Sequence, residues 1–234
     1  MTHPLSRGVQ PQAAARGSLM HDLLHHLRHH LRHHLRHRIW QALAPLATLV
    51  LGLSLIACSD KPASFNAIDI TGADYAKNLS WTDAKGQAHQ LSDFKGQVSL
   101  VFFGYTQCPD VCPTSMADMK AIKTNLGELG ALVQVVFVSV DPARDTHAVL
   151  DDYVANFGPG FWGVSPPVDE LKALAKDFHI FYQEVKGPTP TSYTMEHTAG
   201  FYIYDKNSRL RLFARFGSSQ EAMMADIKTL LNQH

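Results

Sequence analysis

The chain is poor in cysteine, with three in 234 residues. That is too few for a small scaffold held by several disulfides, and an exported protein that uses them structurally tends to pair distant cysteines. Two of the three, Cys108 and Cys112, stand four positions apart, so the pair reads as a site rather than a staple. A distant resolving cysteine of the kind peroxide reduction often uses is also lacking, and only Cys112 could resolve Cys108 locally. Charge of either sign is not in excess: 21 Lys and Arg balance 21 Asp and Glu. The first 57 residues hold six of the basic residues and one of the acidic, which leaves 15 against 20 from residue 58 onward. That net negative balance argues against a nucleic-acid partner, which needs a basic surface. Long apolar runs are scarce too, and the one that exists, residues 39–57, lies near the beginning of the chain.

That run has the features of an export signal. Arg28, Arg32, Arg36 and Arg38 precede it, and Leu55-Ile56-Ala57-Cys58 ends it. A basic region, an apolar region and small residues before a cleavage point describe a secretory signal. The closing tetrad resembles a bacterial lipobox, which implies lipidation of Cys58 as the first residue of the mature chain. About 19 apolar residues are also long enough to remain as an uncleaved anchor. Either outcome tethers the remainder to a bacterial cell membrane, facing the periplasm. Eight of the 14 histidines lie between His21 and His37 in a four-residue repeat. Such tracts can bind metal, but this one lies ahead of the cleavage point and is read as part of the leader. Met20 is an alternative start. The organisation expected is a signal segment or anchor over 1–57, a tether over 58–66 and a domain over 67–234.

Within the domain, residues 79–82 and 87–91 alternate around Asp83-Ala84-Lys85-Gly86 and predict a β-hairpin. Residues 98–103 and 132–140 are near-continuous apolar runs, as strands buried on both faces require. Helices are predicted over about 113–126, through Val149 to Phe157, opening over residues 165–170 with apolar positions at Leu171, Leu174, Ala175 and Phe178, and from Ser218 onward. Further strands are predicted at 161–164, 180–185, 200–204 and 209–216, with a loop of about eleven residues after Val185. Alternating strands and helices that close on a hairpin imply an α/β fold with a mixed central sheet. With two cysteines directly after the first core strand, the fold resembles thioredoxin, with an N-terminal β-hairpin extension.

Cysteines at a strand-to-helix junction sit where the helix dipole favours a thiolate. If Cys108 and Cys112 share the first helical turn, their side chains are neighbours. They can then form a disulfide or supply two sulfurs to a soft metal, for which imidazole is the usual further ligand. Five histidines lie outside the leader. His89 and His234 read as surface residues, and His147 and His179 as solvated helix residues. His197 stands just before a strand, in a loop that faces the cysteine loop in thioredoxin-like folds. Redox members of that fold carry a proline there, and this chain does not.

Three segments together make the resemblance specific: Gly104-Tyr105-Thr106-Gln107-Cys108-Pro109-Asp110-Val111-Cys112-Pro113, Ser139-Val140-Asp141-Pro142-Ala143-Arg144-Asp145-Thr146, and the segment around His197. They resemble the Sco/SenC family over about residues 62–232. The resemblance implies a membrane-tethered, thioredoxin-like metallochaperone with copper, as Cu(I) and in some states Cu(II), on Cys108, Cys112 and His197. It implies cytochrome c oxidase subunit II as the recipient, at its binuclear copper centre, and a periplasmic copper donor upstream. The alternative is a thiol–disulfide oxidoreductase that keeps the recipient's cysteines reduced, with Cys108 and Cys112 cycling through a disulfide. One departure stands out: Glu196 precedes the histidine where the family commonly has aspartate. Asp141, Arg144 and Asp145 are read as loop-building and helix-capping residues.

Overall fold

The runs at 98–103 and 132–140 become two fully buried parallel strands, β4 (Val98–Gly104) and β5 (Val133–Ser139). The computed structural model describes residues 63–189 and 192–233, together with Arg28 and Arg32, which are helical and exposed. Cys58, His234 and the apolar run at 39–57 lie outside the described residues. No helix among the described residues is long and apolar enough to cross a membrane.

In chain order the elements are β1 (Ile68–Asp69), β2 (Ser80–Thr82), β3 (Ala88–Gln90), β4, helix α1 (Val111–Asn125), β5, α2 (His147–Ala155), β6 (Phe161–Val164), α3 (Val168–Asp177), β7 (Tyr182–Lys186), β8 (Tyr193–His197), β9 (Gly200–Tyr204), β10 (Leu210–Arg215) and α4 (Gln220–Asn232). Six strands form one sheet in the order β1-β10-β9-β4-β5-β6. β4, β5 and β6 run parallel, while β9, β10 and β1 join antiparallel, so the sheet is mixed as predicted. Leu100, Phe102, Phe103, Val136, Phe137 and Ile203 are essentially inaccessible to solvent at its centre. Each such side chain stabilises the fold by roughly 1.5–3 kcal/mol relative to exposure. Tyr204 is equally buried, and its hydroxyl donates to the Ala76 carbonyl at 2.6 Å.

The N-terminal hairpin forms as expected, with Trp81 opposite His89. His89, however, is not a surface residue. It is half-buried, with its ring 5.6 Å from Trp81 and 5.2 Å from Trp162 on β6, and its Nε2 lies 3.3 Å from Asp83. Trp162 comes from a distant part of the chain, so local alternation could not report the burial it brings.

One cap differs from the expectation: Ser219, not Ser218, caps α4 by accepting from the Ala222 N–H. Of the two capping candidates Asp145 and Thr146, it is Thr146 that caps α2, accepting from the Val149 N–H. Near the start of the described domain, the buried Asp226 of α4 accepts from the Asn66 N–H at 2.9 Å, the Ala67 N–H at 2.8 Å and the Asn66 side-chain amide at 3.0 Å. The larger revision is β8. The loop expected after Val185 contains a strand, paired with β7 so that Tyr182 faces His197 and Lys186 faces Tyr193. Gly187, Pro188 and Pro190 suggested continuous irregular structure, yet Gly187 and Pro188 only mark the connection between the two strands, and Pro190 lies outside the described residues. The alternation of Tyr193, Met195 and His197 with Thr194 and Glu196 is the strand signal.

Candidate metal centre

β4 delivers the chain to Gly104, and the next residues turn into α1. The Cys108 N–H closes a turn onto the Tyr105 carbonyl, and the first helical bond runs from the Thr114 N–H to the Asp110 carbonyl. Helical geometry therefore begins after Asp110. Cys112 lies in the first turn and is wholly buried, whereas Cys108 sits ahead of the helix and is half-buried. The two cysteines do not share a helical turn. They are brought together by the loop instead.

Gly104 makes the space that Cys112 fills. A Cβ at that position would lie 2.8 Å from the Cys112 Sγ and within 3.0 Å of the Phe102 and Phe137 rings. Burial pushes the Cys112 thiol far above its ordinary pKa, against the opposing Tyr105 backbone hydrogen bond. Both cysteines are free thiols here, and the disulfide pairing is an expectation for the oxidised form. A metal arriving at Cys112 has to displace its proton, so loading and proton release are coupled.

His197, the last residue of β8, completes the group. Its Nε2 lies 3.5 Å from the Cys112 Sγ, and its Nδ1 lies 3.1 Å from the Thr198 carbonyl oxygen. A carbonyl only accepts, so Nδ1 carries the hydrogen and the Nε2 lone pair is turned toward the sulfurs. The rings of Tyr105 and Phe102 meet the imidazole edge-on, at 6.0 and 6.2 Å. Burial pushes its pKa down, against the Thr198 hydrogen bond, which favours the neutral form that ligates. The donor atoms of Cys108, Cys112 and His197 all lie within 4.8 Å of one another. Two thiol sulfurs and one imidazole nitrogen make a donor set for a soft, low-coordinate ion.

The Asp141–Thr146 loop holds this arrangement from behind. Buried Asp145 accepts from the Thr106 N–H at 3.0 Å, the Thr106 hydroxyl at 2.6 Å and the Ser139 hydroxyl at 2.7 Å. Arg144 pairs with Asp141 and donates to the Gln107 side chain at 3.2 Å and the Tyr193 carbonyl at 3.0 Å. The Tyr193 hydroxyl donates to Asp141 at 3.0 Å. This loop is thus a brace between the cysteine segment and the histidine strand, a role its local sequence did not reveal. Glu196 is exposed and is not hydrogen-bonded to the imidazole, which is held by Thr198 instead. His147 and His179 are exposed, as expected. In front of the donors lies an open groove of about 450 Å³, lined by Cys108, His197, Val111, Phe181 and Met195 among others.

The SCO1/SenC family profile matches residues 69–232. The chain belongs to the SCO1/SenC family. A SCO2-like protein of Rickettsia felis is 33% identical over 147 residues, which is 62% of this chain and 72% of that protein. The copper-bound structure of ScoI from Bradyrhizobium japonicum is 33% identical, with a TM-score of 0.59 over 65% of this chain and 97% of that one. The apo Sco1 solution structure from Thermus thermophilus is also 33% identical, with a TM-score of 0.63 over 73% of this chain and 99% of that one. These family members share the thioredoxin-like α/β fold read from the sequence.

Proposed function

We propose that this chain is a copper metallochaperone. It holds Cu(I) on the two cysteine sulfurs and the His197 Nε2, and it serves assembly of the binuclear copper centre in cytochrome c oxidase subunit II. The observation that carries this reading is the convergence of three soft or borderline donors within 4.8 Å, with the imidazole nitrogen turned toward a buried sulfur. The copper found in the 33%-identical ScoI of Bradyrhizobium japonicum supports the choice of metal. Three ligands satisfy Cu(I) and leave room for a recipient's ligand to attack. The groove in front of Cys108 and His197 gives that ligand its approach.

The reading includes loading by a periplasmic donor, with the domain tethered to the membrane through a lipid on Cys58 or through an uncleaved anchor. A mass measurement on membrane-extracted protein tests the tether: a chain beginning at Cys58 with added acyl mass supports the lipid. The reductase alternative uses the same two sulfurs and asks of His197 only that it tune the thiolate, whereas the copper reading uses its Nε2 as a ligand.

The test of the metal site is His197→Ala with a competing Cu(I) chelator. Ligand loss is expected to exceed the roughly 10–100-fold weakening typical of disturbed supporting residues. Wild-type Cu(I) affinity in that variant sinks the three-ligand reading.

A further inference from the structure

β8 carries a second soft donor on the same face as His197. Side chains two apart on a strand point the same way. Accordingly Tyr193, Met195 and His197 are half-buried, while Thr194 and Glu196 between them are exposed. Met195 and His197 line one groove together with Cys108, whereas Cys112 is closed off from solvent behind them. Met116, Met119 and Met223 are buried in the core, but Met195 is only half-buried and lines the open groove beside the metal donors. A thioether is a soft ligand that suits Cu(I) and binds it more weakly than a thiolate does.

We infer that the Met195 sulfur is an exit ligand for Cu(I), a position the metal occupies while it moves between the three-ligand site and the groove. This rests on the reading that Cu(I) binds at Cys108, Cys112 and His197. As one of the groove-facing ligands lets go, one copper bond to Cys108 or His197 breaks and one bond to the Met195 sulfur forms. Copper stays Cu(I), no electron moves, and the thioether neither takes up nor releases a proton. An incoming ligand from the recipient then displaces Met195, which is easier than displacing a thiolate. Phe181, 54% exposed at the same groove, forms part of the wall along which that ligand arrives.

The test follows the intact domain by NMR during anaerobic addition of Cu(I). The probes are the Met195 methyl group, assigned with Met195→Leu, and the His197 ring. Both are expected to shift. A shift of His197 with none at Met195 overturns this inference and leaves the three-ligand site standing. If neither responds, both readings fall. The second measurement is the rate of Cu(I) transfer to excess chelator. Met195→Leu conserves volume and apolar character, and its transfer is expected to slow roughly tenfold. A variant that folds and transfers Cu(I) at the wild-type rate overturns the exit-ligand role.

Discussion

The guanidinium carbon of Arg144 lies 3.6 Å from the centre of the Tyr193 ring, so the planar cation covers the aromatic face. The same side chain donates to the Tyr193 carbonyl, pairs with the buried Asp141, and reaches Gln107 next to Cys108. One residue therefore joins the loop that carries Cys108 to the strand that carries His197.

Arg144→Ala is expected to lower both stability and metal affinity. It leaves the Asp141 carboxylate buried without its cation, for which losses of about 3 kcal/mol are typical. Urea unfolding of the metal-free protein measures the first effect. A Cu(I) competition titration measures the second, which should exceed what the loss of stability alone produces. Arg144→Lys is expected to fall between the two, because it keeps the charge but not the planar fork or the stack.

Gly104→Ala tests the space behind Cys112. The added methyl meets the Cys112 Sγ at 2.8 Å and two aromatic rings within 3.0 Å. Overpacking of this kind typically costs about 1–3 kcal/mol. Because the sulfur is one of the atoms that must move, Cu(I) affinity should fall alongside the thermal midpoint. A variant with unchanged midpoint and affinity shows that the pocket has slack.

Asp205 gives the fold an acid-sensitive turn between β9 and β10. Burial works to raise its pKa, but hydrogen bonds from the Arg209 side chain, the backbone of Arg209 and Asn207, and Arg211 outweigh it and hold the carboxyl below its usual value. The folded state then prefers the carboxylate more than the unfolded chain does. Its contribution is fully present above the unfolded value of about 3.9 and is lost as pH falls through the lower folded value. Asp205→Asn removes this titration, so its stability should fall less steeply than that of the wild type across the acid limb. Denaturation midpoints at a series of pH values below 5 check this.

The parts of the fold that were legible in the sequence are those whose signal is local. β4 and β5 announce themselves as unbroken apolar runs because both of their faces are covered, and the turn at Asp205–Ser208 is marked by its own polar residues. Cys108 and Cys112 were legible as a site because so few cysteines surround them. β8 was not, since Pro188 and Pro190 dominate a five-residue alternation that is only half apolar. His197 lies 85 positions from Cys112; spacing alone could nominate it but not bring it to the sulfur. Asp145 read as a helix cap because its neighbours in sequence belong to a helix start. Its actual partners are Thr106, in the turn just after β4, and Ser139, the last residue of β5. Long-range satisfaction of a buried carboxylate leaves no local pattern to read.

The hold that Asp226 has on Asn66 and Ala67 has a mechanical consequence. Any load applied from the N-terminal side of the domain meets these residues early. The two-residue strand β1, at the edge of the sheet, would peel easily if the load reached it first. Three hydrogen bonds converging on one carboxylate lie ahead of β1 and pass tension into helix α4. Asp226 would thus act as a strain relief for any load applied on that side, sparing the sheet on which the cysteine loop is mounted.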